Sequence, residues 1–470
     1  MLRRLRRAAE RDNVRDMEAT PFASLTTFRA VAYAAFGRRR DALCELCDTL
    51  LTTGSVSSLP VLSVQPQHQR RWGSLYDVLA VGESNRCALE DALAQSLVDG
   101  EPIYAVDVSV WPRCDAETSP ERGMSYHASR HSAGQPIVAG WASSWMAHLG
   151  VARESWTAPM SVRRMRPQEK SNAVAAEQIT AFLAHLSADN SLPWFVCDAG
   201  DDSVQLTQSL GEARAALLVR LRTGRCFYAD PTSQPRTGRP RRHGVKVVCD
   251  LPATWPSPDG DLTVEDTHYG VVRVRAWTGL HPKTHGQHAK RDARGRRPIV
   301  RGTRRLVEVA RLPQQTRAPH ALWLWWQTPD DPASIPDLDR AWRAYVRRCD
   351  LAHPFRFLKQ SLNWTLPRVR HPEQADRWTW LVVLAYTQVR LARPLAQDQP
   401  LPWQQAQPPG KLTPTRVQRA FSLLLPRLPI LARAPKPCGC SPGRPKGKRS
   451  GRATRSPALT KAYLSASHAA

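Results

Sequence analysis

The sequence predicts an α/β protein with a helical region before its core and a basic tail after it. Short apolar runs alternate with segments of helical periodicity between residues 101 and 222, a pattern typical of a partly parallel sheet flanked by helices. Before residue 100 the apolar residues recur every three or four positions, which predicts helices. After Asp398 the chain has no acidic residue, and its Pro-rich, basic composition predicts disorder.

The charge of the chain indicates a polyanionic partner. Lys and Arg number 67 against 41 Asp and Glu, which gives a net charge of +26 over 470 residues. Hydrophobic residues make up 42%, enough for a sizeable core, so the chain as a whole is expected to fold. Nucleic acid is the simplest polyanion for such a protein. Residues 399–470 hold 13 Lys and Arg, half of the net charge, and are expected to bind phosphates without sequence preference.

Residues 25–100 are predicted to form a helical domain that either contacts DNA or caps the core. Helix-periodic segments cover residues 28–51 and 73–98, with a polar, basic connection between them. Residues 1–24 form a basic extension without the apolar segment of a secretory signal. Cys44 and Cys47 have the spacing of half a zinc site, but two thiols on a helix are the simpler interpretation.

Two aspartates interrupt or end apolar strands of the predicted core. Asp107 lies within the strand 103–110, and Asp198 ends the next strand of this kind. A buried carboxylate is costly unless it is paired or binds a cation. Two carboxylates from neighbouring strands would suit Mg²⁺ or Mn²⁺, and two such ions activate a nucleophile and stabilise a leaving oxygen at a phosphodiester. A purely structural role for the two strand aspartates is the alternative.

The rest of the chain divides by composition. Gly, Pro, Thr and Arg dominate residues 223–320, which predicts an all-β insertion between two parts of the core. The second part of the core is predicted to consist of an apolar strand at residues 321–327 and the helices that follow it. The predicted domains are a basic extension (1–24), a helical domain (25–100), the first core part (101–222), the β-rich insertion (223–320), the second core part (321–395) and a Pro-rich linker with a disordered basic tail (396–470).

One helical segment carries a spaced set of residues. Tyr345, Arg348, Ala352 and Lys359 are separated by two, three and six residues, and on a continuous α-helix they share one face. The spacing resembles the Y-(2)-R-(3)-E-(6)-K signature of bacterial insertion-sequence transposases of the Asp-Asp-Glu type, with Ala in place of Glu. The segments around both aspartates and the helix after the signature are similar to that family too. The resemblance covers about residues 25–455.

The resemblance implies a ribonuclease-H-like core: a mixed sheet flanked by helices, with the acids clustered at one edge. It implies cut-and-paste DNA transposition, in which metal-dependent cleavage at terminal inverted repeats precedes 3′-OH attack on target DNA. Asp107 and Asp198 would be the catalytic ligands of two Mg²⁺ or Mn²⁺ ions, and Tyr345, Arg348 and Lys359 would hold DNA phosphates. The implied partners are double-stranded DNA and a second copy of the chain, in the bacterial cytoplasm at the nucleoid.

The sequence departs from the family signature at the third carboxylate. Ala352 cannot bind a metal, Asp350 would point to the other side of the helix, and Glu373 lies beyond a break. Pro354 is expected to kink the same helix. We therefore expect a transposase with weak cleavage, and the alternative is a non-catalytic DNA-binding protein of transposase descent. An RNA-binding module, a third alternative, would need aromatic RNA-binding motifs on its strands, and the sequence does not show such motifs. Two further departures replace a Gly and an aromatic residue: Asn363 and Asp201.

Three other segments have simple interpretations. The apolar helix at residues 378–391 contains polar and charged residues, so it is predicted to be buried and not to span a membrane. The tryptophans of residues 323–326 are predicted to lie in a buried sheet. A basic loop that faces DNA is predicted for the histidines at 281–288, in preference to a metal site: His281, His285 and His288.

Overall fold

The computed structural model describes residues 21–436, with gaps at 98–99, 128–135, 151–155, 187–190, 234–236, 239, 284–297, 314–318 and 330–334. Residues 1–20 and 437–470 therefore lie outside the described part, and with them most of the predicted extension and the most basic part of the predicted tail. No helix among the described residues is long and apolar enough to cross a membrane.

The N-terminal region is helical, as its apolar periodicity predicts. Leu46 and Leu50 of the second helix are wholly buried. Cys44 and Cys47 are buried free thiols on the same helix, which agrees with the simpler interpretation of that pair. A 3-10 turn at Leu59–Val64 separates the second and third helices. The helices are α1 (21–34), α2 (Arg40–Thr52), α3 (Gly73–Val81) and α4 (Arg86–Gln95).

Strands and helices alternate through the first part of the core. The strands around Asp107 and before Asp198 form where their apolar runs predict them, and they pair in parallel. The strand at 158–164 was not predicted, because its run is short and contains a proline. The elements are β1 (Ile103–Pro112), β2 (Gly123–Tyr126), β3 (Ile137–His148), β4 (Ala158–Arg164), α5 (Ser171–Leu183), β5 (Trp194–Cys197), α6 (Ser203–Leu210) and β6 (Ala216–Leu221).

The β-rich segment does not form a sheet wholly of its own. Within the described residues ten strands make one mixed sheet, in the order β2-β3-β1-β5-β6-β12-β11-β10-β9, with β4 on β3. Most of the segment 223–320 therefore extends the core sheet through β12, and two short strands form a separate ribbon. The strands are β7 (Cys226–Tyr228), β8 (Lys246–Val248), β9 (Gly260–Asp266), β10 (Gly270–Leu280), β11 (Gly302–Val309) and β12 (Leu322–Gln327).

The segment with the spaced Tyr, Arg and Lys is not one continuous α-helix. Helix α7 (Leu338–Arg347) ends before a 3-10 turn at Arg348–Leu351, and α8 (Ala352–Gln360) follows. The prediction of a single helix is therefore wrong, while the disruption expected near Pro354 is present. Proline lacks the N–H that an uninterrupted helix would use there, but the first turn of a new helix needs no such donor.

The C-terminal helices close the structure against the N-terminal ones. Helix α9 (Pro372–Leu391) is largely buried, as predicted. Helix α10 (Pro414–Leu424) packs on α2 and α9, and Gln418 donates hydrogen bonds from Nε2 to the carbonyls of Leu50 and Thr53 at 3.0 and 2.9 Å. The prediction of a disordered tail from residue 396 is thus wrong for residues 396–436. Apolar residues at 417, 420, 421 and 424 have helical spacing, but the many prolines of the segment favour the prediction of disorder.

Two arginines lie in the interior of the sheet on β11. Arg304 and Arg305 are wholly buried. The Arg305 guanidinium has no hydrogen-bond partner among the described residues, whereas Arg304 has the Cys249 thiol as a polar neighbour. Arg304 lies 4.3 Å from the ring centre of Trp277 and 4.6 Å from that of Trp323. Arg305 lies 4.9 Å from the ring centre of Trp326. Burial lowers the pKa of Arg305 to about 9. The Trp residues of β12 are therefore buried, as predicted, and they surround buried cations.

His281 does not lie on an exposed loop. It is wholly buried, and its Nε2 lies 2.9 Å from Nδ1 of His243. The prediction of a DNA-facing position is therefore wrong for His281, because the residue pairs with the strand β7 through Tyr228. His285 and His288 lie outside the described residues.

Asn363 joins the end of α8 to the N-terminal region. Its backbone has a φ of 58°, in the left-handed region where Gly is favoured and Asn is tolerated. The side chain accepts a hydrogen bond from the N–H of Val56 at 3.1 Å and donates one to the carbonyl of Gly54 at 3.2 Å. The departure from Gly at this position therefore supplies two bonds between distant parts of the chain.

We expect Asn363→Ala to lower the free energy of unfolding by about 2–4 kcal/mol, because it removes two hydrogen bonds and strains the left-handed backbone. Asn363→Gly loses the same bonds without the strain, so its loss should be smaller by about 1 kcal/mol. Urea denaturation of the three proteins measures both differences. Equal losses for Ala and Gly would contradict the role given to the backbone.

Candidate active site

Asp107 lies at the point where the central strand opens to solvent. Strand β1 pairs with β3 on one side and with β5 on the other. The four residues before Asp107 are buried, whereas Asp107 and Val108 are partly accessible. Its Oδ1 accepts the N–H of Val108 at 2.8 Å. Burial raises the pKa of Asp107, and the positive charge of Arg348 opposes that rise.

Asp198 lies level with Asp107 on the neighbouring strand. In the parallel pairing of β1 and β5, Ile103 is opposite Trp194 and Ala105 is opposite Val196. The same register, carried two residues further, places Asp107 opposite Asp198. Both side chains keep about a third or more of their surface exposed, at 34% and 40%. The two sequence-predicted carboxylates therefore meet at one accessible edge of the sheet.

Arg348 connects the two carboxylates. Its Nη2 lies 2.8 Å from Oδ2 of Asp198 and 3.7 Å from Oδ2 of Asp107. Burial alone would lower the pKa of Arg348, but the two carboxylates hold it above its usual value. Tyr345 donates a hydrogen bond from its hydroxyl to Oδ1 of Asp198 at 3.2 Å, and Arg220 lies 3.8 Å from the same oxygen. Two residues of the spaced set thus contact the carboxylates directly.

More than half of the chain matches a known family. The family model described as DDE superfamily endonuclease matches residues 32–283. The chain belongs to the DDE superfamily endonucleases. No curated protein matches it. Nucleases of this family act on DNA and generally use divalent metal ions. The matched residues include Asp107 and Asp198, whereas the segment 345–359 lies beyond the match.

Lys359 lies at the C-terminal end of α8, on the side of the site where Asp107 is found. Burial lowers the pKa of Lys359, and the negative charge of Asp107 opposes that shift. Its ammonium lies 5.6 Å from the ring centre of Trp364. No carboxylate of the described residues lies within ion-pair distance of it. Among the described residues, Lys359 is therefore a partly buried cation near Asp107 without a carboxylate in ion-pair contact.

Ala352 stands where the resembling family has its third carboxylate. Ala352 is exposed at the start of α8. Asp350 forms an ion pair with Arg347 at 2.6 Å, which holds it away from the aspartates. Among the residues that the structure describes, no group of three His, Cys, Asp or Glu side chains is arranged to hold a metal ion. The two carboxylates therefore fit a divalent cation in part, while the Arg348 guanidinium, which cannot bind a metal, pairs with both of them.

Asp201 is a further carboxylate at the site, and the sequence pattern does not assign it a catalytic role. Its N–H donates to the carbonyl of Asp198 at 3.1 Å, in the turn that follows β5. Burial raises the pKa of Asp201 to about 7, and the negative charges of Asp107 and Asp198 add to the rise. The available signal was the acidic run after β5, in which Asp201 stands where the resembling family has an aromatic residue.

Proposed function

We propose that the chain is a DNA transposase that cuts and joins DNA at terminal inverted repeats, with weak cleavage because Ala352 replaces the third carboxylate. The observation that carries the proposal is the pair Asp107–Asp198, level on parallel strands and joined by Arg348. The order β4-β3-β1-β5-β6, with β1, β5 and β6 parallel, supports a ribonuclease-H-like core. The remaining strands support the interpretation of residues 223–320 as an insertion in that core.

Each residue of the site has a role in this proposal. Asp107 and Asp198 would hold Mg²⁺ or Mn²⁺, in a two-ion site that lacks one ligand. The bound metal supplies charge stabilisation and an activated nucleophile. Tyr345, Arg348 and Lys359 would place the phosphates of the strand beside the carboxylates. A guanidinium suits this task because its fork of N–H donors matches phosphate geometry.

The charge of the chain supports double-stranded DNA as the partner, since the net charge is +26. The DNA partners in this proposal are transposon ends and target DNA. The protein would act as a homodimer that holds two transposon ends. The corresponding location is the bacterial cytoplasm at the nucleoid. A non-catalytic DNA-binding protein of transposase descent is the second candidate, because an exposed Ala stands at the position of the third acid.

The test is a nicking assay on the inverted repeats that flank the reading frame, with Mg²⁺ or Mn²⁺. We expect slow nicking by the natural chain and none by Asp107→Asn or Asp198→Asn, which keep the shape and lose the charge. Asp91→Asn is the matched control, since Asp91 is 51% exposed and pairs with His185 in another part of the protein. Specific binding of the repeats without any nicking would favour the second candidate.

A further inference from the structure

Two aromatic side chains are exposed next to each other on the N-terminal helical region. Trp72 is 66% exposed and Tyr76 is 39% exposed. They lie four residues apart at the start of α3, and therefore on one face of the helix. Their ring centres are 6.3 Å apart and the rings are nearly perpendicular, at 81°. The two rings thus form an exposed aromatic pair, called here the aromatic corner.

Tyr76 of this aromatic corner lines a cleft that Lys359 also lines. The cleft has a volume of about 850 Å³, and its lining includes Tyr76, Arg113, Lys359 and Arg368. The end of β1 also lines it, at Trp111 and Pro112. Pro112 is five residues beyond Asp107 on the same strand, a distance of about 17 Å at ~3.3 Å per residue. A DNA strand held by Lys359 would therefore extend towards the aromatic corner a few nucleotides from the site.

The charges around the aromatic corner favour a nucleic-acid strand. Arg71, beside Trp72, is exposed. The carboxylates nearby are already paired, Asp77 with Arg39 at 2.7 Å and Asp115 with Arg368 at 3.7 Å. Arg368 is 87% exposed and its pair is loose, so it is available to a phosphate. The cleft is lined by three cations (Arg113, Lys359 and Arg368) and one carboxylate (Asp115), so positive charge is in excess there, which is the electrostatic setting of a phosphate backbone.

Resting on the proposed function, we propose that Trp72 and Tyr76 bind an unpaired base of the DNA strand that enters the cleft towards Lys359. Bases stack on exposed aromatic rings without strong sequence preference, because every base has a flat π-face. Duplex DNA hides those faces, so the aromatic corner selects a frayed or single-stranded end. Among the described residues the other strongly exposed Trp is Trp403, whereas Trp72 contacts Tyr76, which lines the cleft.

The proposal is tested by fluorescence anisotropy in EDTA, so that binding is measured without cleavage. The probes are one inverted-repeat duplex with blunt ends and the same duplex with a short unpaired end. We expect the natural chain to prefer the unpaired end, and Trp72→Ala, Tyr76→Ala and the double variant to lose about 5–150-fold of affinity for that probe alone. Trp403→Ala is the matched control and should bind both probes as the natural chain does.

A second measurement separates stacking from a structural effect. With 2-aminopurine in the unpaired end, the natural chain should quench the fluorescence of the base, and Trp72→Ala should restore it. Arg71→Ala should weaken both probes by a similar factor, since it contacts phosphate. Equal binding of both probes by the natural chain, or unchanged binding by the double variant, would overturn the stacking proposal. Binding of neither probe would instead contradict the proposed function itself.

Discussion

Ala352→Glu is expected to raise the rate of metal-dependent DNA nicking by about 100-fold or more. Ala352 directly follows the 3-10 turn that begins at Arg348, at the exposed start of α8, and we expect a longer acidic side chain there to reach the region of Asp107 and Asp198. Even groups that only support metal ligands change affinity by about 10–100-fold. A complete ligand should contribute at least as much. Nicking of inverted-repeat DNA in Mg²⁺, with metal affinity from isothermal titration, measures the change.

The control for this substitution is Ala352→Gln, which adds the same length of side chain without the negative charge. It should leave nicking and metal affinity close to those of the natural chain. Combining Ala352→Glu with Asp107→Ala should abolish the gain, because a metal site needs both carboxylates. Robust nicking by the natural chain, itself abolished by Asp107→Ala, would contradict the hypothesis that the missing acid limits cleavage.

Arg305→Leu is expected to stabilise the protein by about 1–4 kcal/mol at pH 7, the range found when buried charges are replaced by apolar residues of similar volume. The Arg305 guanidinium is wholly buried without a hydrogen-bond partner, and its cation–π contact with Trp326 compensates only part of the lost hydration. Leu324 lies opposite it on β12, so the site is otherwise apolar. Urea denaturation of the two proteins measures the difference.

The pH dependence of that difference identifies its cause. Burial lowers the pKa of Arg305 in the folded state to about 9, well below its value in the unfolded chain. A base with a lowered folded pKa destabilises the fold at every pH below that pKa, and the penalty shrinks as the pH rises above it. The stability gap between Arg305→Leu and the natural chain should therefore be full at pH 7 and smaller at pH 10. Arg273→Leu is a control, because Arg273 is half-exposed and pairs with Asp261. A stability gap between the two proteins that does not change with pH would mean that packing, and not the buried charge, causes the gain in stability.

The main elements of the core could be predicted from the sequence, because each has a strong local pattern. The strand of Asp107, the strand before Asp198 and the buried helix α9 are long or strongly apolar. The two aspartates could be placed at one site because parallel neighbouring strands bring equivalent positions together. Their register then brings Asp107 level with Asp198.

The remaining features depend on contacts that no local pattern records. Helix α10 is hidden among prolines and is held by its packing on α2. The break between α7 and α8 follows from Pro354, but its 3-10 geometry depends on the elements around it. Asp201 is a charged residue in a polar turn, and only the tertiary structure reveals its proximity to the other acids. The pairing of Arg348 with both carboxylates could not be foreseen, since the signature indicated phosphate binding.

The position of Arg348 couples the binding of metal to the binding of DNA in the proposed reaction. One guanidinium nitrogen now serves as counter-ion to both Asp107 and Asp198. A phosphate that draws this group away leaves two negative charges uncompensated, and a divalent cation then binds them more tightly. By thermodynamic linkage, the metal must raise the affinity for DNA by the same factor as DNA raises the affinity for metal. With such cooperativity, the two carboxylates would bind metal weakly until a DNA strand is bound at the site.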